Sequence, residues 1–231
     1  MTQADWMKNL PTTSLIAEFS MWSANLLRLE QDLSRISGAA DVLHIDVADG
    51  HFAPAMLFFP DLVAAMKKVT ATPIHIHLMV ADNVLVAQAE QFSDAGADLI
   101  SVHGENGEAA HTAIDAIKKR GLAAGLVLKV HSPVVLAEAF LPRLDFLTLL
   151  GTAIGVKGQE LDRKACDRLG EARKLIEKQN GAGRIVLAAD GGIRENTVPL
   201  LRGAGAETVV LGSLAFGAAN LEERMAWLRG L

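Results

Sequence analysis

Cysteine occurs once in this 231-residue chain, as Cys166, tyrosine is absent, and aromatic residues make up only 5%. A single thiol excludes a disulfide framework and any metal site built from several thiolates. Basic charge is not in excess either: 22 Lys and Arg stand against 27 Asp and Glu, a net charge of -5. That balance argues against a nucleic-acid-binding face or a polybasic membrane anchor. Nowhere do ~18 apolar residues run without a charge, so no membrane span is expected. The opening residues MTQADWMKNLPTTS lack a basic start followed by an apolar stretch, so no signal peptide is read there and a cytoplasmic location is expected. Low-complexity tracts, Pro- or Ser-rich linkers and solenoid repeats are missing as well. What the chain has is apolar mass: 50% hydrophobic residues and a mean hydropathy of +0.25, enough for a large core. A single domain over residues 1–231 is expected, with residues 1–14 as an extension before the first strand.

Two kinds of segment alternate. Short apolar runs read as strands at Leu15–Ser20, Val42–Val47, Ile74–Met79, Leu99–His103, Ala123–Lys129, Phe146–Leu150, Ile185–Ala189 and Thr208–Leu211. Segments of helical period lie between them, among them Asn25–Ile36, Asp61–Val69, Val84–Ala95, Gly107–Arg120 and Asp162–Gln179. The runs read as apolar throughout, the pattern of a parallel sheet covered on both faces. Strands alternating with helices imply right-handed crossovers, and eight of them in a chain of this length predict a TIM (β/α)8 barrel. An open doubly wound sheet is the alternative, but no GxGxxG follows the first strand. Gly96 and Gly205 stand where a helix ends and a strand begins, positions that favour a left-handed cap.

In such a barrel, polar residues at the C-terminal ends of strands are the place to look for chemistry. His44 and Asp46 are two apart in one run and share a face; His75 and His77 do the same in the next. Asp190 closes the seventh run before Gly191-Gly192. Imidazoles and carboxylates converging in a barrel mouth suit a divalent metal of borderline hardness. The competing reading is a set of core polar groups satisfied by hydrogen bonds alone. Burying four such groups with neither metal nor substrate would be costly. His75 is assigned a supporting or structural role.

At these residues the chain resembles the ribulose-phosphate 3-epimerase family, from about Ser20 to Gly217. The resemblance is carried by Ser20-Met21-Trp22-Ser23-Ala24-Asn25, by His44-Ile45-Asp46-Val47-Ala48-Asp49-Gly50-His51-Phe52-Ala53-Pro54, and by His77-Leu78-Met79-Val80. Ala95-Gly96-Ala97-Asp98, Ser101-Val102-His103, Asp190-Gly191-Gly192 and Gly212-Ser213 complete it. It implies one divalent ion (zinc, iron, manganese or cobalt) on His44, Asp46, His77 and Asp190, with Asp46 and Asp190 as acid–base carboxylates. It implies substrate contacts from Ser20, Met79, Gly191, Gly192, Gly212 and Ser213. A glycine-rich lid is implied over 151–159, where Gly155, Gly158 and Gln159 match and Lys157 replaces a usual glycine. The activity implied is inversion at C3 of a ketose phosphate through an enediolate, stabilised by the ion as a Lewis acid while two carboxylates handle the proton. The implied partner is a small phosphorylated sugar, and the apolar composition suggests a homo-oligomer.

The chain departs from the family pattern at several places. Ala48 and Leu150 stand where methionines are usual, Asn25 where an aspartate is, and Lys129-Val130-His131 where an Asn-Pro pair ends the fifth strand. Lys129 is read either as a solvated strand-end lysine or, with His131, as added polar reach toward the substrate, and Ala48 and Leu150 as changes that enlarge the pocket. Two other readings remain: a lyase that decarboxylates a keto-acid sugar phosphate, and a non-catalytic sugar-phosphate-binding barrel. The lyase needs a lysine near the first acidic residues, and none lies in 44–51; the binding barrel would be expected to lack a carboxylate.

Overall fold

The computed structural model describes residues 3–179 and 183–231. Its strands are β1 (Ile16–Ser20), β2 (Val42–Asp49), β3 (Met56–Leu57), β4 (Ile74–Met79), β5 (Leu99–His103), β6 (Ala123–Leu128), β7 (Phe146–Leu150), β8 (Val186–Asp190) and β9 (Thr208–Leu211). All but β3 pair in parallel, and β1 bonds to both β9 and β2, which closes the sheet into the TIM barrel. β3 is a two-residue strand folded back antiparallel on the end of β2. No sequence signal for it stands out in so short a span.

The helices are α1 (Leu29–Ile36), α2 (Pro60–Lys67), α3 (Asp82–Asp94), α4 (Glu108–Lys119), α5 (Ala165–Glu177), α6 (Val198–Gly203), α7 (Ser213–Phe216) and α8 (Leu221–Arg229). The first five start and stop within a few residues of the five periodic segments named above; α6, α7 and α8 have no counterpart among those. The largest difference is α1, which begins at Leu29 rather than Asn25. Asn25 instead accepts the Leu27 amide proton (3.1 Å) and donates its own to Asp32 (2.7 Å), a local turn that competes with helix. Each helix buries a stripe against the sheet: Leu85, Ala89 and Phe92 on α3, and Ala110, Ala113, Ile114 and Ile117 on α4. Gly96 (φ +99°) and Gly205 (φ +107°) take the left-handed conformation after α3 and α6, where L side chains would be strained. No described helix is long and apolar enough to cross a membrane.

The strands correct one reading of the sequence. Four of them are not apolar on both faces. Leu43, Ile45 and Val47 of β2, and Ile74, Ile76 and Leu78 of β4, belong to the core shared with the helices. The intervening residues point into the barrel, and there they are polar: Glu18 and Ser20, His44 and Asp46, His75 and His77, Ser101 and His103, all buried. The barrel floor is apolar, built from Ile16, Val42, Leu99, Ala123, Phe146 and Val186 with Leu10. Trp6 and Met7, from the segment before β1, pack against that floor; residues 1 and 2 lie outside the described part.

One glycine is required by this polar interior. Gly125 of β6 pairs with Ser101, and a Cβ there would lie 1.9 Å from the Ser101 hydroxyl oxygen, which hydrogen-bonds to His75 Nε2 at 2.6 Å. Gly125→Ala therefore displaces a buried hydrogen bond as well as overpacking the barrel. A loss of about 2–4 kcal/mol is expected in chemical denaturation, from the sum of those two effects. A melt and denaturation midpoint equal to wild type would show that the strands can separate to make room.

Candidate active site

Four barrel strands deliver the site. Parallel pairing sets Asp46 beside His77 across β2 and β4 and Ser20 beside His44 across β1 and β2, while β8 ends on Asp190. Asp46 Oδ1 lies 3.2 Å from His44 Nε2 and 3.2 Å from His77 Nδ1, and its Oδ2 accepts the Ser20 hydroxyl at 2.9 Å. Asp190 Oδ2 is 3.9 Å from His77 Nδ1. One ligand atom from each of His44, Asp46, His77 and Asp190 falls within 4.8 Å of the others. Donors about 2.1 Å from a common ion in a tetrahedral arrangement stand about 3.4 Å apart, so these separations suit a divalent cation on N and O ligands.

The charge balance points the same way. The carboxylates of Asp46 and Glu18 hold the His44 pKa well above its ordinary value although burial opposes them, so the spot attracts positive charge. Burial works to raise the Asp46 carboxyl, but the charge of His44 and hydrogen bonds from both histidines outweigh it and hold it below the usual range. Burial pushes the Asp190 carboxyl up to about 6, and the Asp46 charge adds to that. Two carboxyls are thus driven apart, the pattern of a paired acid and base.

Behind the ligands stands a layer that sequence reasoning left unassigned. His44 Nδ1 pairs with Glu18 Oε1 at 2.8 Å, His75 Nδ1 bonds the same oxygen, and His75 Nε2 meets the Ser101 hydroxyl. His75 therefore takes the supporting role read for it. His77 Nε2 lies 2.9 Å from His103 Nε2, and His103 Nδ1 lies 3.1 Å from Glu105 Oε2. The available signal was the spacing: Glu18/Ser20 and Ser101/His103 repeat the two-residue interval of His44/Asp46 inside apolar runs.

In front of the ligands opens a cavity of about 370 Å³. Ser20, Asp46, His77, Met79, Gly155, Lys157, Gly158, Asp190, Gly191, Gly192, Gly212 and Ser213 line it; His44 sits behind Asp46, fully buried. Trp22, Ser23 and Thr152, which lie in the matched opening turn and the lid segment, line it too, as does Arg194, which the sequence did not single out. The segment 151–159 roofs the cavity. Lys157 Nζ donates to the Trp22 carbonyl at 2.5 Å and sits 4.5 Å over the Trp22 ring, while Arg194 donates to the carbonyls of Gly158 and Gln159. Gly192 (φ +70°) cannot carry a side chain, since a Cβ would meet the Leu161 backbone at 2.8 Å.

Two expectations about the departures are corrected. Lys129 and His131 are not among the residues lining the cavity; Lys129 Nζ instead rests 3.7 Å over the Phe52 ring. Ala48 does not enlarge the pocket, because Phe52 and Ile154 pack around it with Ala53 and Met79. Leu150 does line the wall.

Fold and mouth together define a (β/α)8-barrel enzyme whose chemistry sits at the C-terminal ends of its strands. The sequence profile of the ribulose-phosphate 3-epimerase family matches residues 16–216. Ribulose-phosphate 3-epimerase of Bacillus subtilis is 34% identical over 212 residues, covering 91% of this chain and 96% of the relative. The Aquifex aeolicus protein of the same name is 33% identical over 202 residues, with 87% and 89% covered. The chain belongs to the ribulose-phosphate 3-epimerase family and is an isomerase of that class. Among solved structures, 3-hexulose-6-phosphate synthase of Salmonella typhimurium superimposes with a TM-score of 0.68 at 15% identity, covering 94% of this chain and 97% of that one. The 3-keto-L-gulonate-6-phosphate decarboxylase of Vibrio cholerae gives 0.67 at 16%, covering 94% and 99%. At such identities the likeness is one of fold.

Proposed function

We propose that this protein inverts C3 of a ketose phosphate by two-base proton transfer, with a divalent ion held by His44, Asp46, His77 and Asp190. The observation that carries the reading is the meeting of two carboxylates and two imidazoles at one point of the cavity wall. The ion, when bound, supplies Lewis-acid stabilisation of the negative charge that develops on the sugar oxygens. Asp46 and Asp190 come from strands on different sides of the mouth, and they are assigned to opposite faces of C3. One takes the C3 proton, whose electron pair enters the C2–C3 bond to give the enediolate; the other returns a proton to the opposite face. The Ser20 hydroxyl fixes Asp46 Oδ2, so the base keeps its orientation while its proton load changes.

The remaining lining residues hold the substrate. Gly191, Gly192, Gly212 and Ser213 present backbone at one end of the cavity, where glycine allows a phosphate to approach N–H groups closely. The roof of Gly155, Lys157 and Gly158 keeps water from the enediolate, and Lys157 adds a cation to the wall. Met79 and Leu150 supply the apolar surface beside the reacting carbons.

Five- and six-carbon ketose phosphates are both proposed as substrates for the cavity of about 370 Å³. In a panel of ribulose 5-phosphate, allulose 6-phosphate and a tetrulose phosphate, kcat/KM for the first two should lie within about 100-fold, the range expected when no dedicated hydrogen bond reads the extra hydroxyl-bearing carbon. A gap of several orders in favour of ribulose 5-phosphate would mark a strict pentulose-phosphate enzyme. Absence of C3 inversion in every member would overturn the reading altogether.

A further inference from the structure

The chain of contacts behind His77 runs outward to a residue with no access to substrate. His77 Nδ1 faces Asp46 and Asp190, and its Nε2 lies 2.9 Å from His103 Nε2. Two nitrogens at that separation share one proton, so one ring donates and the other accepts. His103 Nδ1 settles which, because it meets the Glu105 carboxylate, an acceptor without a proton of its own. Glu105 is held in turn: its Oε1 accepts the Lys129 amide at 2.8 Å and the Ser132 hydroxyl. With every acceptor of that carboxylate so engaged, Nδ1 of His103 carries hydrogen and Nε2 of His103 accepts. The shared proton then belongs to His77 Nε2, which leaves Nδ1, the nitrogen that meets Asp46 Oδ1, as the one whose hydrogen a cation would replace.

We propose that Glu105 is a positioning residue for the metal site, acting through His103 to keep hydrogen on His77 Nε2 so that Nδ1 is the nitrogen His77 presents to a cation. His44 has the matching arrangement at one step, with Glu18 accepting from its Nδ1 and Nε2 facing Asp46. The two histidines thus face the same spot with opposite ring nitrogens, His44 held directly by the fully buried Glu18 and His77, through His103, by the half-buried Glu105. The β6 end, where Lys129, Val130 and His131 depart from the family pattern, serves this relay through the Lys129 backbone rather than the cavity. The inference rests on the metal reading above for its consequence, and on the contacts alone for the tautomers.

The test uses the full chain in two measurements. Long-range ¹H–¹⁵N spectra of the metal-free protein should show His103 protonated at Nδ1 and His77 at Nε2, and Glu105→Ala should lose that assignment. Chelator competition with Co²⁺ should show a 10- to 100-fold weaker Kd in Glu105→Ala, the loss typical when the partner of a metal-bound histidine is removed. Glu105→Gln, which keeps one acceptor, should fall between the two. Wild type binding Co²⁺ with Glu105→Ala matching it within threefold would overturn the proposal. So would His103 protonated at Nε2 in the wild-type spectrum, a readout that stands even if the variant does not fold. A wild-type protein that binds no Co²⁺ but shows the expected tautomers would sink the metal reading and leave the relay intact.

Discussion

Asp190→Asn lowers kcat by at least ~10²-fold, and whatever turnover remains still carries solvent hydrogen into C3, because inversion must replace the hydrogen removed from one face. Asparagine keeps the volume and one oxygen of the side chain but cannot accept a proton, so the loss isolates acid–base work from packing. Wild type run in heavy water should place deuterium at C3 of the product; an unlabelled product would exclude the two-base route. The substitution should not weaken the fold. Burial and the Asp46 charge raise the Asp190 carboxyl to about 6, so at pH 7 and above its ionisation opposes folding, and a neutral amide relieves that opposition. The metal-free variant should melt no lower than wild type at pH 8. An Asp190→Asn enzyme with kcat within threefold of wild type would remove Asp190 from the mechanism.

The double substitution His44→Ala, His77→Ala abolishes stoichiometric metal binding. Elemental analysis of the reconstituted wild type should find about one divalent ion per chain, and of the variant close to none. Two carboxylates alone make a hard, incomplete donor set for an ion that also favours imidazole. Activity should fall with the metal. Stability should fall too, because Glu18 is fully buried and loses His44, one of its two histidine partners. Breaking a buried pair typically costs about 3–5 kcal/mol, so a lower melting temperature is part of the expected result. A variant that still bound one ion and remained active would show that the ion sits elsewhere or is not needed.

Much of the site was legible because barrel geometry converts sequence spacing directly into position. Residues two apart on a strand share a face, so His44 with Asp46 and His75 with His77 had to project together. The same rule applies to Glu18 with Ser20 and to Ser101 with His103, but in runs that read as apolar neither Glu18 nor a supporting role for Ser101 and His103 was assigned. Of the two readings of Lys129, the substrate contact is the one the structure does not bear out, because Lys129 lies outside the cavity lining. Its place at a strand end was right, but a lysine stem is long enough to choose its neighbour, and here the Phe52 ring captured it.

The sequence by itself determined the strand and helix order, the closed parallel barrel that follows from it, and the residue types gathered at the strand ends. Those features depend on local periodicity and on the few ways that alternating strands and helices can pack. The tertiary structure alone decided which groups touch. Glu18 reaches His44 and His75 only because β1 closes against β2, and Lys157 meets Trp22 across 135 residues of chain. The direction each imidazole faces was decided there too. A histidine in a strand carries no mark of which nitrogen will hold the proton. That choice is made by a carboxylate brought up from a different part of the chain, because a buried ring cannot leave either nitrogen without a partner.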